Sequence, residues 1–186
     1  MNDDSELIAK TLDGDSAAFG RLVLKYQDRL YNTVMHVCGN AEDARDVVQN
    51  AFVQSYVKLK TFKGTSAFYT WLYRIAFNEA INIKRKKRPT LSADRARETS
   101  GIEPEDDQAG PHEKMEVDER RRQVREAIGT LNDEHRSVLV LREIDGCSYE
   151  TIAEILDLPV GTVRSRLHRA RLQLREELKE VLAINE

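Results

Sequence analysis

Cysteine is scarce: Cys38 and Cys147 are the only two in 186 residues. They stand far apart, and neither belongs to a Cys-x-x-Cys or Cys/His spacing, so neither a zinc site nor a structural disulfide is expected. Both read as buried, small apolar side chains. Glycine (nine) and proline (four) are also few, and aromatic residues make up only 6%. A sheet protein of this length needs more turn residues and more β-branched runs, so the expectation is an all-α protein with almost no strand. No apolar run approaches the roughly 20 residues that cross a bilayer, and the N-terminus MNDDSELIAK is acidic where a secretory signal is basic and then apolar. These absences predict a cytoplasmic chain without membrane insertion. His36, His112, His135 and His168 are scattered, no paired carboxylates flank a nucleophile, and no glycine loop is spaced to cradle phosphate. No metal, cofactor or catalytic residue is expected, and therefore no enzyme.

Charge is what the chain has in quantity, 33% of residues with a formal net charge of −3, and it comes in blocks. The basic run IKRKKR ends a helical pattern at Arg88, and Pro89 stops it. The following stretch ETSGIEPEDDQAGPHEKMEVDE carries Gly, Pro and acid without apolar periodicity, the composition of a tether. Helical periodicity precedes it and resumes at Val124, Ile128 and Leu131. The predicted organisation is two small helical domains, 1–88 and 116–186, joined by a flexible acidic linker over 89–115.

Four helices are expected in the first domain. A short one carries Leu7, Ile8 and Leu12. The second holds the stripe Phe19, Leu22, Val23, Tyr26, Leu30, Val34 and Val37, closed by Gly39. The third starts at Asn40, an N-cap with Asp43 three residues on, and shows Val47, Val48, Ala51, Phe52 and Tyr56. The fourth begins near Ser66, with Phe68, Leu72, Ile75, Ala76 and Ile83 on one face. Its other face, Tyr69, Trp71, Tyr73, Arg74, Asn78, Asn82, Arg85 and Lys86, mixes rings, amides and cations. Those types stack on unpaired bases, bond base edges and neutralise phosphates. Core packing of the aromatics is the competing account for Trp71 and Tyr73.

In the second domain, SYETIAEILDLPVGTVRSRLHRAR follows helix-turn-helix grammar. A short helix from Ser148 turns Ile152, Ala153 and Leu156 inward, the chain turns through Asp157 and Leu158, and Pro159 takes the first position of the next helix. There Val163, Leu167, Ala170 and Leu174 form the buried stripe, leaving Arg164, Ser165, His168, Arg169 and Arg171 outward. Small Ala153 lets the helices cross closely, and Gly161 and Thr162 in the first turn bring the backbone to a phosphate. Pairing of these arginines with Glu176, Glu177 and Glu180 is the alternative, but Val160 to Arg175 holds no acid.

Two long stretches carry a resemblance. DARDVVQNAFVQSYVKLKTFKGTSAFYTWLYRIAFNEAINIKRKKR is similar to region two, and LNDEHRSVLVLREIDGCSYETIAEILDLPVGTVRSRLHRARLQLREEL to region four, of extracytoplasmic-function sigma factors, most closely the sigma-E-like group. The resemblance implies a promoter-specificity subunit that directs core RNA polymerase, through its clamp and flap, to promoter DNA. It also implies a stress response controlled by an anti-sigma factor. Asp46, Gln49 and Phe52 match the helix that docks on the clamp coiled coil, with Asn50 where the family usually carries Glu. The loop KTFKGTSAF matches the loop that captures a flipped base of the minus-ten element, with Phe62, Lys63 and Ser66 as contacts. Asn78 and Asn82 match positions at the upstream edge of that element, and Trp71 stands as a single wedge where primary sigma factors have two tryptophans. The region-four helix implies minus-thirty-five recognition. The tether would thread the polymerase cleft, with Glu103, Glu105, Asp106 and Asp107 as a temporary anionic occupant. A repressor would use the same helix-turn-helix, but as a dimer and without the aromatic, amide-rich face. A recombinase would need a catalytic Ser or Tyr beside an arginine cluster, or a metal site.

Overall fold

The computed structural model describes residues 3–87 and 111–183, with the side chains at 85–87, 111–118 and 180–183 outside that description. Every regular element among the described residues is helical. In the first domain these are α1 (Asp3–Leu12), α2 (Ser16–Cys38), α3 (Ala41–Val57), a 3-10 turn (Leu59–Thr61) and α4 (Phe68–Lys87). The second holds α5 (Pro111–Thr130), α6 (Asp133–Leu139) running into a π-helical turn (Val140–Ile144), α7 (Tyr149–Leu156) and α8 (Val160–Ala183).

Local chemistry sets the helix ends. Asp15 caps α2 by accepting from the N–H groups of Ala17 and Ala18, and Gly39 ends it at φ +81°, a left-handed conformation that costs glycine nothing. Asn40 opens α3: its Oδ1 accepts from the Asp43 N–H at 2.8 Å while its Nδ2 donates to the Asp43 carboxylate at 2.9 Å. Helix α5 begins at Pro111, inside the segment expected as linker. Proline is suited to a first helical turn, where its missing N–H has no partner to lose. The four tether acids, Glu103 to Asp107, lie outside the described residues.

Buried Leu22, Leu30, Val34, Val47, Ala51, Leu72 and Phe77 join α2, α3 and α4. Full burial of each large apolar side chain contributes about 1.5–3 kcal/mol, so this stack fixes the pitch of α4. Leu12 and Tyr56, expected inward, are 44% and 49% exposed. Leu12 is the last residue of its helix, and Tyr56 sits at the rim with its ring edge-on to Phe19 at 5.0 Å. Tyr73, expected outward, is fully buried. It continues the row Tyr69–Tyr73–Phe77 at spacings of four, and its hydroxyl is satisfied inside by Asp145 at 3.0 Å. In α7 the inward pair is Ile152 and Ile155, with Ala153 and Leu156 half-buried.

The domains are not held apart. Helix α7 packs on α4, the π turn packs on α2, and the buried apolar residues of both domains form one contiguous cluster. At the seam the contacts turn polar. Arg136, 8% exposed, donates to the Ile128, Gly129 and Leu131 carbonyls at the end of α5 and to the Val37 carbonyl at the end of α2. Lys84 of α4 pairs with Asp133 at 3.0 Å. Burial lowers the affinity of both cations for their protons, which Asp133 opposes.

Candidate nucleic-acid interface

The helix-turn-helix is built as its sequence dictates. Ser148 Oγ accepts from the Thr151 N–H, opening α7, and the turn is made by Asp157 at φ +55°. Asp tolerates this left-handed conformation better than most side chains do. Pro159 lies one residue ahead of α8, its carbonyl accepting from the Thr162 and Val163 N–H groups, a shift of one place from the expected first helical position. Val163, Leu167 and Ala170 are buried, Leu174 half-buried, and Gly161, Arg164, Ser165, His168 and Arg169 are exposed. Thr162 is half-buried, and the Ser165 hydroxyl donates to its carbonyl.

The arginines of α8 divide. No ion pair among the described residues holds Arg164 or Arg169, although Arg164 lies close enough to help lower the Glu150 carboxyl, which is held down chiefly by hydrogen bonds to its own backbone and to Ser148. Arg171 is committed: it donates to Glu143 from Nε and Nη2 at 2.9 and 2.6 Å, which raises its pKa. It stays exposed on the outward face as expected, with the π turn carrying Glu143 across to it. Arg166 pairs with Glu134 at 2.9 Å, and Arg175 lies 3.8 Å from Glu176.

The second surface lies on α4 and the loop before it. Phe62, Phe68 and Trp71 form an aromatic triad with ring centroids 5.3–5.9 Å apart, in which Phe62 and Trp71 remain half-buried. The loop turns at Gly64 (φ +69°), leaving Lys63 exposed and Ser66 half-buried. Arg74 and Asn78 are exposed and Asn82 is half-buried, on successive turns. Arg85 sits on the last turn, and its side chain lies outside the described residues. A polar cleft of about 800 Å³ separates Ser66, Thr70, Trp71 and Arg74 from Glu150, Glu154 and Asp157 of the helix-turn-helix. Arg74 reaches across it to Asp157 at 3.4 Å.

Asp46, Gln49 and Asn50 share an exposed face of α3. Phe52 does not join them: it is 7% exposed and belongs to the core, because it lies on the Val47–Ala51 side of the helix. A groove that sequence reading missed runs between α5, α6, the π turn and α8. Its floor is Ile128, Leu139, Val140 and Leu174, with Val124 and Ile144 exposed beside Arg120, Arg121 and Arg125. Exposed apolar residues on otherwise charged α5 were the available signal. His135 is engaged by Asn132 and Gln173, His112 lies where side chains are not described, and both cysteines are buried thiols outside any disulfide. Among the described residues no cluster of His, Cys, Asp and Glu could hold a metal ion, and no helix is long and apolar enough to cross a membrane.

Residues 22–90 match the profile of Sigma-70 region 2, and residues 121–174 that of Sigma-70, region 4. The chain is 41% identical over 184 residues to the RNA polymerase sigma-H factor of Pseudomonas aeruginosa, covering 96% of this chain and 95% of that protein. It is 42% identical over 178 residues to the ECF RNA polymerase sigma-E factor of Escherichia coli K12, covering 90% of each. Among solved structures it is similar to CnrH in complex with the cytosolic domain of CnrY, with a TM-score of 0.71, 27% identity and coverage of 96% and 99%. It is also similar to the sigma factor RpoE with the anti-sigma factor NepR from Bartonella quintana, with a TM-score of 0.68, 25% identity and coverage of 87% and 96%.

Proposed function

The chain belongs to the sigma-70 family, as an alternative sigma factor of the extracytoplasmic-function group, and on that premise we propose how its surfaces divide the work of initiation. One observation carries the division: a single chain holds two nucleic-acid faces of different chemistry. The α8 face, with Arg164, Ser165, His168 and Arg169 exposed on a rigid helix, suits the edges and phosphates of a duplex major groove. The α4 face, with Phe62 and Trp71 half-exposed beside Lys63, Ser66, Arg74, Asn78 and Asn82, suits unstacked bases of a melted strand. The first reads the minus-thirty-five element and the second captures and holds the minus-ten element, so melting is a binding event and the chemistry stays with the polymerase.

Asp46, Gln49 and Asn50 offer the clamp an acidic and amide surface. Asn50 supplies no charge there, so the contact rests on Asp46. The groove beside Val124 and Ile144 has an apolar floor and an arginine rim, which suits an acidic, amphipathic segment and is assigned to the flap. Likeness to RpoE, solved with the anti-sigma factor NepR, and to CnrH, solved with the cytosolic domain of CnrY, supports control by an anti-sigma factor in a cytoplasmic stress response. The test is reconstitution: the chain is mixed with core polymerase and a genomic promoter library. Co-purification with the polymerase and start-site-specific transcripts are expected. Duplex binding without polymerase, and no transcripts, would point to a repressor and overturn the reading.

A further inference from the structure

We propose that the free chain holds itself closed through one buried carboxylate, Asp145, and that the closed form covers the strand-holding face of α4 while leaving the duplex-reading face of α8 open. The π turn ends at Ile144, and Asp145 follows with its side chain only 2% exposed. It is pushed into the first domain. Arg29 donates to it from Nε and Nη2 at 2.9 and 3.0 Å, Thr33 from its hydroxyl at 3.1 Å, and Tyr73 from its hydroxyl at 3.0 Å. Only the Cys147 thiol, at 3.1 Å, comes from Asp145's own domain.

A carboxylate stripped of water is strongly unfavourable unless donors replace that water. Here the replacements belong almost wholly to the other domain, so Asp145 is buried only when α2 and α4 receive it. Removed from the socket, Asp145 and Arg29 would both return to water with their hydrogen bonds restored, so opening leaves no buried charge unpaired. The Lys84–Asp133 pair and the Arg136 bond to the Val37 carbonyl hold the other end of the seam in the same polar manner.

Closure has a chemical consequence at the cleft. It sets the carboxylates of Glu150, Glu154 and Asp157 opposite Ser66, Thr70, Trp71 and Arg74, with Asp157 already paired to Arg74. Fixed negative charge thus stands where a strand's phosphates would have to pass, and α7 competes with nucleic acid for the same cation. Arg164, His168 and Arg169 stay exposed. The naming of the excluded ligand rests on the function proposed above, whereas the latch is a statement about the shape of the chain and is tested without polymerase or promoter.

Trp71 is the only tryptophan and lines the cleft, so it reports directly. Full-length Asp145→Asn, Arg29→Ala and the double variant are compared with wild type by acrylamide quenching of Trp71 and by small-angle scattering, with far-UV dichroism for helicity. Loss of a charge-assisted hydrogen bond shifts the closed–open balance about tenfold towards open. The expected result is steeper quenching and a larger radius of gyration in both single variants, with the double no more open than Asp145→Asn. Arg45→Ala, an exposed charge on α3, should change neither reading. Thr33→Val keeps the volume and removes one donor, and decides the matter by a smaller shift of the same sign should Asp145→Asn lose helicity. Quenching and radius equal to wild type in folded variants would overturn the latch. A larger radius with unchanged quenching would overturn the covering of α4.

Discussion

The two candidate recognition helices use opposite designs. On α8 the buried stripe of Val163, Leu167 and Ala170 is narrow, and the rest of the circumference is free for cations. On α4 burial takes Phe68, Leu72, Tyr73, Ala76, Phe77 and Ala80, and what remains for ligand is a strip whose aromatics are half engaged in packing and whose arginine is paired across the cleft. A helix that reads an existing duplex can be finished in advance. One that must accept bases pulled from a stack needs rings held firmly enough to stay preorganised and open enough to be reached. The difference teaches that the fold conceals the face whose ligand has to be created and leaves available the face whose ligand already exists.

Core substitutions test most severely whether the two designs stand on one foundation. Leu72→Ala and Leu167→Ala each remove a fully buried side chain and should cost about 2–5 kcal/mol. Because the buried cluster is continuous, both should lower the midpoint of a single urea transition, and two separated transitions would break the picture of a shared core. Next in size is the contrast in readout. Arg164→Ala and Arg169→Ala should each cost about 1–3 kcal/mol at promoters that depend on the upstream element. Asn78→Ala should act by a similar amount on the downstream element alone, as measured by start-site-resolved transcription with mutated promoters.

A pH titration separates the two domains through one buried group in each. Burial is the largest cause raising both the Tyr26 phenol and the Cys147 thiol to about 12, with hydrogen bonding to Asp4 and Asp145 respectively adding to it. Each keeps its proton when folded at a pH where the unfolded chain releases it, near 9 for the thiol and 10 for the phenol. Their stabilisation is therefore full below about pH 9 and falls as pH rises towards 12. The check is denaturant midpoints between pH 8 and 11, with thiolate absorbance expected to stay absent from the native chain up to pH 10. The smallest effect should come from Arg171→Ala. It breaks an exposed pair with Glu143 and should change stability by less than about 1 kcal/mol. A promoter-binding loss as large as that of Arg169→Ala would put Arg171 in the duplex-reading set with Arg164 and Arg169.

What was legible in the sequence was local. Asn40, Gly39, Ser148 and Pro159 announce helix ends because each acts within a few residues of itself, and the α8 stripe shows at spacings of four and three. The loop KTFKGTSAF came from the family resemblance, not from periodicity or turn chemistry. Periodicity failed where burial depended on a distant partner. Tyr73 reads as amphipathic and is buried because Asp145 satisfies its hydroxyl, whereas Phe52 is buried as its stripe predicts, and only the family resemblance gave it a surface role. Arg171 is outward as its spacing implies, but its pairing with Glu143, 28 residues away, is delivered by a π turn that leaves no sequence pattern of its own. The seam was invisible for the same reason: Arg29 and Asp145 are 116 residues apart, and each looks like a solvated charge in its own segment.

That separation also orders events in time. Asp145 leaves the ribosome 58 residues after Lys87, the last residue of α4, which at about 5–20 residues per second is an interval of about 3–12 s. Through that interval the first domain has its helices but no carboxylate to fill the socket of Arg29, Thr33 and Tyr73. Every newly made molecule thus begins life with α4 uncovered, and anything that must catch the factor in that state has its first opportunity during translation.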